Sequence, residues 1–345
     1  MAAALLSKQG YDVIGVTLKL YDYAELNFEP PDGGCCTIDL INDARSVCSQ
    51  IGIPHYVLDL RESFEKNVID YFIESYSRGR TPNPCINCNR FVKWGEMLGM
   101  SEKLGCDYVA TGHYARIDRS GPSVRLMKGI DCQKDQSYAL WGIRPDALSK
   151  TLLPVGEYCK QEIRRMAREH GFRNADRPDS QEICFVPAGD YASIVHKKHG
   201  MDDASLVPGP ILDIRGKEIG RHRGYAYYTI GQRRGTGLST GAPLYVTHIN
   251  PDDMSITVAA KENLYKRRFL ASDLNLLVNE DSIPDRVTIK IRYKHQGSPG
   301  KIARNEGRVE VTFEEPERAI TPGQSAVFYD GDQVLGGGII ESVLD

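Results

Sequence analysis

Helical segments alternate with short apolar strands along the first 110 residues of the chain. The predicted elements follow one another as helix 2–8, strand 13–18, helix 39–51, strand 56–60, helices 62–76 and 90–104, and strand 107–110. Short strands joined by helical crossovers run parallel and are covered by helices on both faces. Because ligands gather at the carboxyl ends of such strands, Thr111, Gly112 and His113 lie at a candidate binding edge. The pattern predicts a parallel α/β domain.

The pattern changes after Lys198, where helices give way to glycine, proline and β-branched residues. Short predicted strands near the end of the chain, with an Asp330-Gly331 turn, indicate a small closed β-barrel. We therefore predict three domains. They are an α/β domain over residues 1–200, a small central domain over 205–270 and a C-terminal β-barrel over 271–345.

The N-terminal sequence and the cysteine count indicate a compartment. The longest apolar run at the N-terminus, residues 2–6, is far too short for a membrane span or a signal peptide. The nine cysteines are an odd number in a long chain, which argues against a secreted disulfide scaffold. We therefore expect a cytoplasmic protein without a membrane segment.

Basic residues are clustered, although the net charge is only -3. The clusters are Arg221, His222, Arg223, Arg233 and Arg234; Lys266, Arg267 and Arg268; and Lys290, Arg292 and Lys294. The third cluster alternates with apolar residues from Val287 to Tyr293, which predicts a strand with one face in a core and a basic face outward. Such a face suits the phosphates of a nucleic acid, and the alternative is an ordinary solvated strand face.

Two cysteine segments indicate sulfur chemistry. Cys85 and Cys88 form a Cys-x-x-Cys motif, and Cys184 follows about a hundred residues later. Cys88 precedes a good helix pattern, with Asn87 or Asn89 as the expected N-cap, so the helix would lower the pKa of its thiol. Cys184 lies between Pro178 and Pro187, which favours a loop. Two such thiols could pass sulfur between them.

Two metal-binding alternatives remain for the same residues. The first is a structural zinc half-site, which here lacks a second Cys-x-x-Cys or His pair at finger spacing and would make the protein a metal-bound structural or redox module. The second is an iron-sulfur cluster held by Cys85, Cys88 and Cys184, with one iron open to substrate or sulfide.

Five motifs occur in a fixed order along the chain. They are Gly79-Arg80-Thr81-Pro82-Asn83-Pro84 with Cys88, Ala110-Thr111-Gly112-His113-Tyr114, Lys134-Asp135-Gln136-Ser137-Tyr138, Asp179-Ser180-Gln181 with Cys184-Phe185, and Thr229-Ile230-Gly231-Gln232-Arg233. Together they resemble the bacterial tRNA-specific 2-thiouridylases of the MnmA/TrmU family. The resemblance implies that the first domain has the fold of the N-type ATP pyrophosphatases (adenine nucleotide alpha hydrolase-like), with a parallel sheet.

The resemblance also implies a reaction and a set of site residues. ATP with Mg²⁺ adenylates the C2 oxygen of the wobble uridine of tRNA, a cysteine persulfide delivers sulfur, and AMP leaves. Cys184 is the implied persulfide carrier, and Cys88 is the implied nucleophile, which resolves the persulfide through a transient disulfide with Cys184. The implied binding residues are Asn83, Pro84 and Cys85 for the target base, Leu18 and Gly112 for ATP, and His113, Lys134, Asp135, Gln136, Arg292, Tyr293 and Gln324 for tRNA. The implied sulfur donor is a cysteine desulfurase or a relay protein.

Two departures from the family pattern affect the expected chemistry. Many members have Asp three residues before the nucleophile, where this chain has Cys85, and this third thiol favours the cluster alternative. The family's Ser-Gly-Gly-Val-Asp-Ser loop, which cradles the ATP phosphates, precedes the first residue of this sequence. We expect an upstream reading frame to restore that loop and an active enzyme; the alternative is a truncated, non-catalytic tRNA-binding relative.

Overall fold

The fold combines a helix-rich N-terminal part with two β-rich parts. The structure, a computed structural model, describes residues 1–22, 38–177, 183–186, 191–200, 203–238, 241–305 and 307–344. Its strands are β1 (Gly15–Lys19), β2 (His55–Asp59), β3 (Val109–Ala110), β4 (Ala115–Asp118), β5 (Arg125–Lys128), β6 (Thr151–Leu152), β7 (Gly209–Leu212), β8 (Glu218–His222), β9 (Tyr245–Asn250), β10 (Ser255–Ala259), β11 (Tyr265–Leu276), β12 (Val287–Lys290), β13 (Ser298–Asn305), β14 (Arg308–Arg318), β15 (Ser325–Asp330) and β16 (Gln333–Val343).

The helices lie mainly in the N-terminal part. They are Ala2–Lys8, Ile38–Gln50, Pro145–Leu148, Lys160–Glu169 and Tyr191–His199, with two longer helical runs at 61–77 and 84–103. Each longer run contains a π-helical stretch, Glu65–Ile69 in the first and Cys88–Met97 in the second. Short 3₁₀ turns occupy Ser137–Leu140, Ala204–Leu206, Tyr225–Tyr227, Lys261–Leu264 and Glu280–Ser282. Among the described helices, none is long and apolar enough to cross a membrane.

Two pairs of parallel strands confirm the predicted α/β class. β1 pairs with β2, with Leu18 opposite Leu58, and β3 pairs with β6. The helix Ala2–Lys8 contributes to two small hydrophobic clusters of the N-terminal part. Its Ala4 contacts the cluster that contains Phe172, and its Leu5 contacts the cluster that contains Tyr114.

The helical run 61–77 buries one face in an aromatic core. Residues at helical spacing along the run, Phe64 and Phe72 among them, are fully buried, as expected for an amphipathic helix. Phe185 packs edge-on against both rings, with centroid distances of 5.7 Å to Phe64 and 5.3 Å to Phe72. We use the name aromatic core for these three residues together with Tyr21 and Tyr76, which are also buried. Burial of each such side chain contributes about 1.5–3 kcal/mol.

The central part of the chain forms its own small sheet. Its four strands follow the order β8-β7-β10-β9, with β7 and β10 parallel and the other pairs antiparallel. Ile211, Val246 and Ile256 are fully buried in its core. It docks on the end of the helical run 61–77, where the Tyr225 hydroxyl donates to the Ser77 carbonyl at 2.7 Å.

The last part of the chain closes a six-stranded antiparallel barrel, as predicted. The strand order β11-β14-β13-β12-β15-β16 is completed by pairing of β11 with β16. The hairpin β4–β5 of the N-terminal part extends the same sheet, because Met127 pairs with Gln333 of β16. Trp141, which is fully buried, packs against Gly337 of the barrel wall. The first and last domains therefore share a sheet and a core.

The predicted basic strand face at 287–294 is wrong in one respect. β12 ends at Lys290, and Lys290 is only 9% exposed. Its ammonium group lies 6.0 Å from the ring centroid of Tyr138 and 5.9 Å from that of Tyr329, and burial lowers its pKa. The alternation holds as far as Lys290, whose side chain lies against Tyr138 of the N-terminal domain and Tyr329 of the barrel, whereas Arg292 is half-buried and Lys294 is exposed.

We expect the substitution Gly156→Ala to destabilise the fold. A Cβ atom at this position would lie 1.7 Å from the carbonyl oxygen of Ala115, so the backbone of β4 would have to move. A loss of about 1–3 kcal/mol in the free energy of unfolding is expected, measured by urea denaturation followed by circular dichroism. Gly99→Ala is the matched control, because a Cβ there meets nothing within 4 Å and a helical alanine gains about 0.5–1 kcal/mol. Equal midpoints for the two variants would contradict the close approach.

Candidate active site

A cavity of about 310 Å³ opens where the three parts of the chain meet. Its lining residues are Tyr76, Thr81, Pro82, Asn83, Pro84, Ile183, Tyr191, Thr229 and Gln324. Most come from the N-terminal part, Thr229 comes from the central part and Gln324 from the barrel. The cavity brings together three predicted residues, Asn83, Pro84 and Gln324.

The cavity wall at 79–84 follows from local backbone chemistry. Gly79 has φ 68°, and the Arg80 amide donates to the Ser75 carbonyl at 2.9 Å, which ends the preceding helical run as a glycine C-cap does. Asn83, held extended before Pro84, then caps the next helix: its side-chain oxygen accepts from the Cys85 amide at 3.2 Å. The chain therefore makes a sharp turn between two helices and presents Asn83 to the cavity.

The predicted N-cap of the second helical run is wrong, because the run begins at Pro84 and Asn83 is its cap. Asn87 and Asn89 are buried, and their side chains donate to the carbonyls of Asn67 and Ala139 at 3.1 and 2.8 Å. Cys85 therefore lies in the first turn, and Cys88 lies in the next one. The helix dipole stabilises a negative charge mainly within the first turn of a helix. It therefore favours a thiolate at position 85 over one at position 88.

The floor of the cavity is aromatic. Tyr76 and Tyr191 stack with a centroid distance of 5.7 Å and an interplanar angle of 14°. The Tyr76 hydroxyl hydrogen-bonds the Thr229 side chain, and burial raises the pKa of Tyr76, so the hydroxyl stays protonated. Tyr76 is buried in this stack, and Tyr191 is the more exposed of the two rings. Sequence patterns gave no signal for Tyr76 or Tyr191, and Thr229 appeared only inside a motif.

Cys88 and Cys184 pack against the same buried cluster. Both thiols are half-buried, and this cluster includes the aromatic core. Cys184 is held from both sides: Phe185 is buried in the aromatic core, and the Tyr21 hydroxyl donates to the Cys184 carbonyl at 2.6 Å. Its neighbour Ile183 lines the cavity. The two cysteines are present as thiols and not as a disulfide.

The barrel is hydrogen-bonded to the cavity wall at Thr81. The Thr81 amide donates to the Pro322 carbonyl at 2.9 Å, and the Gln324 side-chain amide donates to the Thr81 carbonyl at 2.8 Å. Gly323, with φ 91°, makes this approach possible because a Cβ there would lie 2.9 Å from the Thr81 nitrogen. Gln324 therefore both lines the cavity and fixes its wall.

The residues predicted near ATP lie on the two parallel strand pairs. Leu18 is on β1 and packs against the buried cluster that also contacts Cys88 and Cys184. Gly112 follows β3, is exposed, and would place an added Cβ in open space. His113 bonds the Thr111 hydroxyl at 2.7 Å, and its ring centroid lies 5.8 Å from that of Trp94. Burial, with the Lys93 charge, holds the pKa of His113 well below its usual value, so its ring is neutral at pH 7.

The polar loop before Ser137 is organised by internal hydrogen bonds. Asp135 is 8% exposed and accepts from the Gly129 amide at 3.1 Å and from the Ser137 hydroxyl at 2.9 Å. The Gln136 side chain accepts from the Tyr114 amide at 2.9 Å. Lys134 is half-exposed. In this arrangement Asp135 and Gln136 hold the loop to the hairpin, and Lys134 is more accessible than the buried Asp135.

The remaining predicted tRNA residues lie just beyond β12. Arg292 is half-buried and donates to the Arg318 carbonyl at 3.0 Å. Tyr293 is 40% exposed and packs edge-on against Tyr138 at 6.4 Å. Tyr293 therefore offers a ring face at the junction between barrel and N-terminal domain.

No metal-ligand set forms among the residues that the structure describes. No group of three or more His, Cys, Asp or Glu side chains there is close enough to hold a metal ion, and that search includes Cys85, Cys88 and Cys184. The pair Cys35-Cys36 and the residues Asp179, Ser180 and Gln181 of the predicted motif lie outside the described ranges.

Three families match the chain in succession. Residues 1–188 match the tRNA methyl transferase HUP domain, residues 202–260 the tRNA methyl transferase PRC-barrel domain, and residues 266–340 the aminomethyltransferase beta-barrel domain. The fold and its cavity thus define a HUP-domain protein with a PRC-barrel and a C-terminal β-barrel.

The full-length relatives identify the family within that class. Proteins named tRNA-specific 2-thiouridylase MnmA are 46% identical in Carboxydothermus hydrogenoformans and in Clostridioides difficile, and 44% identical in Lachnoclostridium phytofermentans. The alignments cover 99–100% of this chain and 94–95% of these relatives. The chain belongs to the tRNA-specific 2-thiouridylase (MnmA) family, which confirms the resemblance in its motifs.

The lowered pKa of His113 predicts a pH-dependent stability. The unfolded chain binds a proton at this ring near pH 6.5, and the folded chain does so only at lower pH. This contribution to stability is therefore complete above about pH 6.5 and is lost as the pH falls toward the folded-state pKa. We expect His113→Asn to flatten the decline in urea midpoint between pH 7 and pH 5. Parallel curves for wild type and variant would show that His113 does not titrate as described.

Proposed function

We propose that this protein catalyses ATP-dependent 2-thiolation of the wobble uridine of tRNA. The observation that carries the proposal is that Cys88 and Cys184 pack against one buried cluster, beside a cavity lined by all three domains. Its volume of about 310 Å³ is at the small end for ligand sites and suits a single base. The name of the relatives supports the reaction. The two cysteines support sulfur transfer, and the cavity supports binding of the base.

In this proposal the target uridine is unstacked from its neighbouring bases and inserted into the cavity. Enzymes that modify a base extrude it into a pocket and hold it by stacking and by hydrogen bonds to its edge. Tyr191 is half-buried and supplies ring surface at the cavity. Asn83 and Gln324 are polar side chains on its wall, together with Thr81 and Thr229. Pro84 and Cys85 continue that wall toward Cys88. The neutral Tyr76 hydroxyl suits an uncharged pyrimidine.

ATP supplies the adenylyl group that converts the uridine C2 oxygen into a leaving group. The residues that we assign to ATP, Leu18 and Gly112, belong to the two parallel strand pairs, where α/β proteins bind nucleotides. Gly112 is exposed with open space where a side chain would be, so a nucleotide can approach its backbone. Leu18 connects this edge to the cysteines, because it packs on the same buried cluster. Mg²⁺ would accompany the nucleotide.

Sulfur transfer then uses Cys184 and Cys88 in turn. The donor, a cysteine desulfurase or relay protein, leaves a persulfide on Cys184. The terminal sulfur attacks C2 of the activated uridine, forms the C–S bond and expels AMP. The Cys88 thiolate next attacks the Cys184 sulfur, so the electron pair of the broken S–S bond stays with the new thiouridine. The product is 2-thiouridine, and the two cysteines are left as a disulfide.

The arrangement of the cysteines favours this persulfide route over an iron-sulfur cluster. Cys88 and Cys184, the two thiols that the persulfide route uses, pack against one buried cluster, whereas Cys85 is exposed to solvent. A structural zinc site on Cys85 and Cys88 would need two further ligands, and no group of three His, Cys, Asp or Glu side chains that could hold a metal ion forms within the described residues.

Replacing either cysteine should abolish thiolation. In the full-length protein, with ATP, unmodified tRNA and a persulfide donor, we expect Cys184→Ser and Cys88→Ser to lose thiouridine formation and to keep tRNA binding. Cys132→Ser, which removes an exposed thiol elsewhere in the chain, is the control and should behave as wild type. Turnover by either active-site variant at the wild-type rate would refute the assigned roles. tRNA binding by the wild type without any thiolation would favour a non-catalytic relative.

The central domain should supply salt-sensitive interactions with tRNA. Arg233 and Arg234 are exposed and follow Thr229 of the cavity by a few residues, whereas Lys290 is buried. We expect the double variant Arg233→Ser, Arg234→Ser to reduce the slope of log binding constant against log salt by roughly 0.7–0.9 for each phosphate that the protein no longer neutralises. Arg144→Ser, a surface arginine paired with Asp146 at 2.5 Å, is the control. An unchanged slope in the double variant would remove this surface from the tRNA interface.

A further inference from the structure

The structure places a third thiol, that of Cys85, one helical turn before Cys88. The Cys88 amide donates to the carbonyls of both Pro84 and Cys85, so the two cysteines belong to one closed turn. Residues three apart in a helix lie on the same face, with Cα atoms about 5 Å apart. This separation is within the range that a disulfide spans. The Cys-x-x-Cys segment therefore has the geometry of a dithiol pair.

The three thiols differ in their access to solvent. Cys85 is exposed, whereas Cys88 and Cys184 are half-buried against the cluster that contains the aromatic core. Sulfur transfer leaves Cys88 and Cys184 joined as a disulfide, and the enzyme needs both thiols again before the next turnover. A protein-sized reductant meets Cys85 before it meets that disulfide. Cys85 is thus closer to solvent than the Cys88–Cys184 disulfide that must be reduced.

We propose that Cys85 and Cys88 form a redox couple that regenerates Cys184 after each turnover. This inference rests on the proposed function and adds a step to it. The Cys85 thiolate attacks the Cys88 sulfur of the Cys88–Cys184 disulfide, which forms a Cys85–Cys88 disulfide and releases Cys184 as a thiolate. An external dithiol of the thioredoxin class then reduces the Cys85–Cys88 disulfide with two electrons and two protons.

Two features of the site favour this exchange. The attack is intramolecular, so it does not wait for a collision with a reductant. Cys85 also occupies the first turn of the helical run, where a negative charge is best stabilised, and Cys88 lies one turn later. Released Cys184 remains anchored beside the cavity by Phe185 and Tyr21, ready to accept the next sulfur.

A disulfide map after one round of thiolation without added reductant tests the proposal. The full-length protein receives unmodified tRNA, ATP and a persulfide donor, its thiols are trapped with N-ethylmaleimide, and linked peptides are identified by mass spectrometry. We expect the wild type and the Cys132→Ser control to show a Cys85–Cys88 disulfide with Cys184 alkylated. In Cys85→Ser the Cys88–Cys184 disulfide should persist. A wild type dominated by the Cys88–Cys184 disulfide would overturn the inference.

A second measurement separates this role from a role of Cys85 in binding the base. The protein is isolated from tRNA after the first round, and recovery of the Cys184 thiol is followed with a thioredoxin-class protein or with a small phosphine. Wild type should recover with both. Cys85→Ser should lose recovery with the protein reductant and retain it with the phosphine. Equal recovery of both proteins with thioredoxin would contradict the couple.

Failure of the proposed function would have a different signature. In that case no thiouridine and no turnover-dependent disulfide form in the first measurement. The couple is then tested alone, by equilibrating the reduced protein with an oxidised small dithiol. A Cys85–Cys88 disulfide in wild type that is lost in Cys85→Ser supports the couple, and its absence from wild type overturns it.

Discussion

The packing of Phe185 against Phe64 and Phe72 is the contact on which the proposed sulfur site depends. Phe185 is 1% exposed and follows Cys184 directly, so its burial fixes where the Cys184 thiol can be. The helical run that carries Cys88 packs on the same cluster through Val92. In the proposed reaction the two thiols must approach each other reproducibly, and packing against a close-packed cluster restricts the positions that each can take. Residues 183–186 form no helix or strand, as predicted for a loop, and they are anchored through the buried side chains of Phe185 and Val186.

The cavity depends on a second constraint, the meeting of three domains at residues 75–84. The central domain docks there through the bond from Tyr225 to Ser77, and the barrel docks through Thr81. The barrel is also tied to the N-terminal domain by a continuous sheet and by Trp141. The cavity is therefore lined by all three domains at once. In the proposed reaction, correct docking of tRNA and correct placement of the base become one requirement.

Several polar residues near the site hold the scaffold. Asp135, Gln136 and Arg292 direct hydrogen bonds to the protein itself, and Tyr293 is exposed to solvent. Asn83 and Gln324 do both, because each lines the cavity and also hydrogen-bonds the backbone of its wall. His113 is neutral and packed beside Trp94. A motif residue can therefore act by fixing a loop as well as by direct contact with a ligand.

The sequence by itself determined the parallel α/β domain, the closed barrel and the family, because period-2 and period-3.6 patterns and short motifs are local properties of the chain. It also singled out Cys85, Cys88 and Cys184. Only the tertiary structure decided that Asn83 caps the helix, that Lys290 is buried, and that Tyr76, Tyr191 and Thr229 complete the cavity. The physical reason is that a pattern shows which face of an element is apolar, whereas the element that covers a face comes from a distant part of the chain. A cavity built from three domains has no local signature.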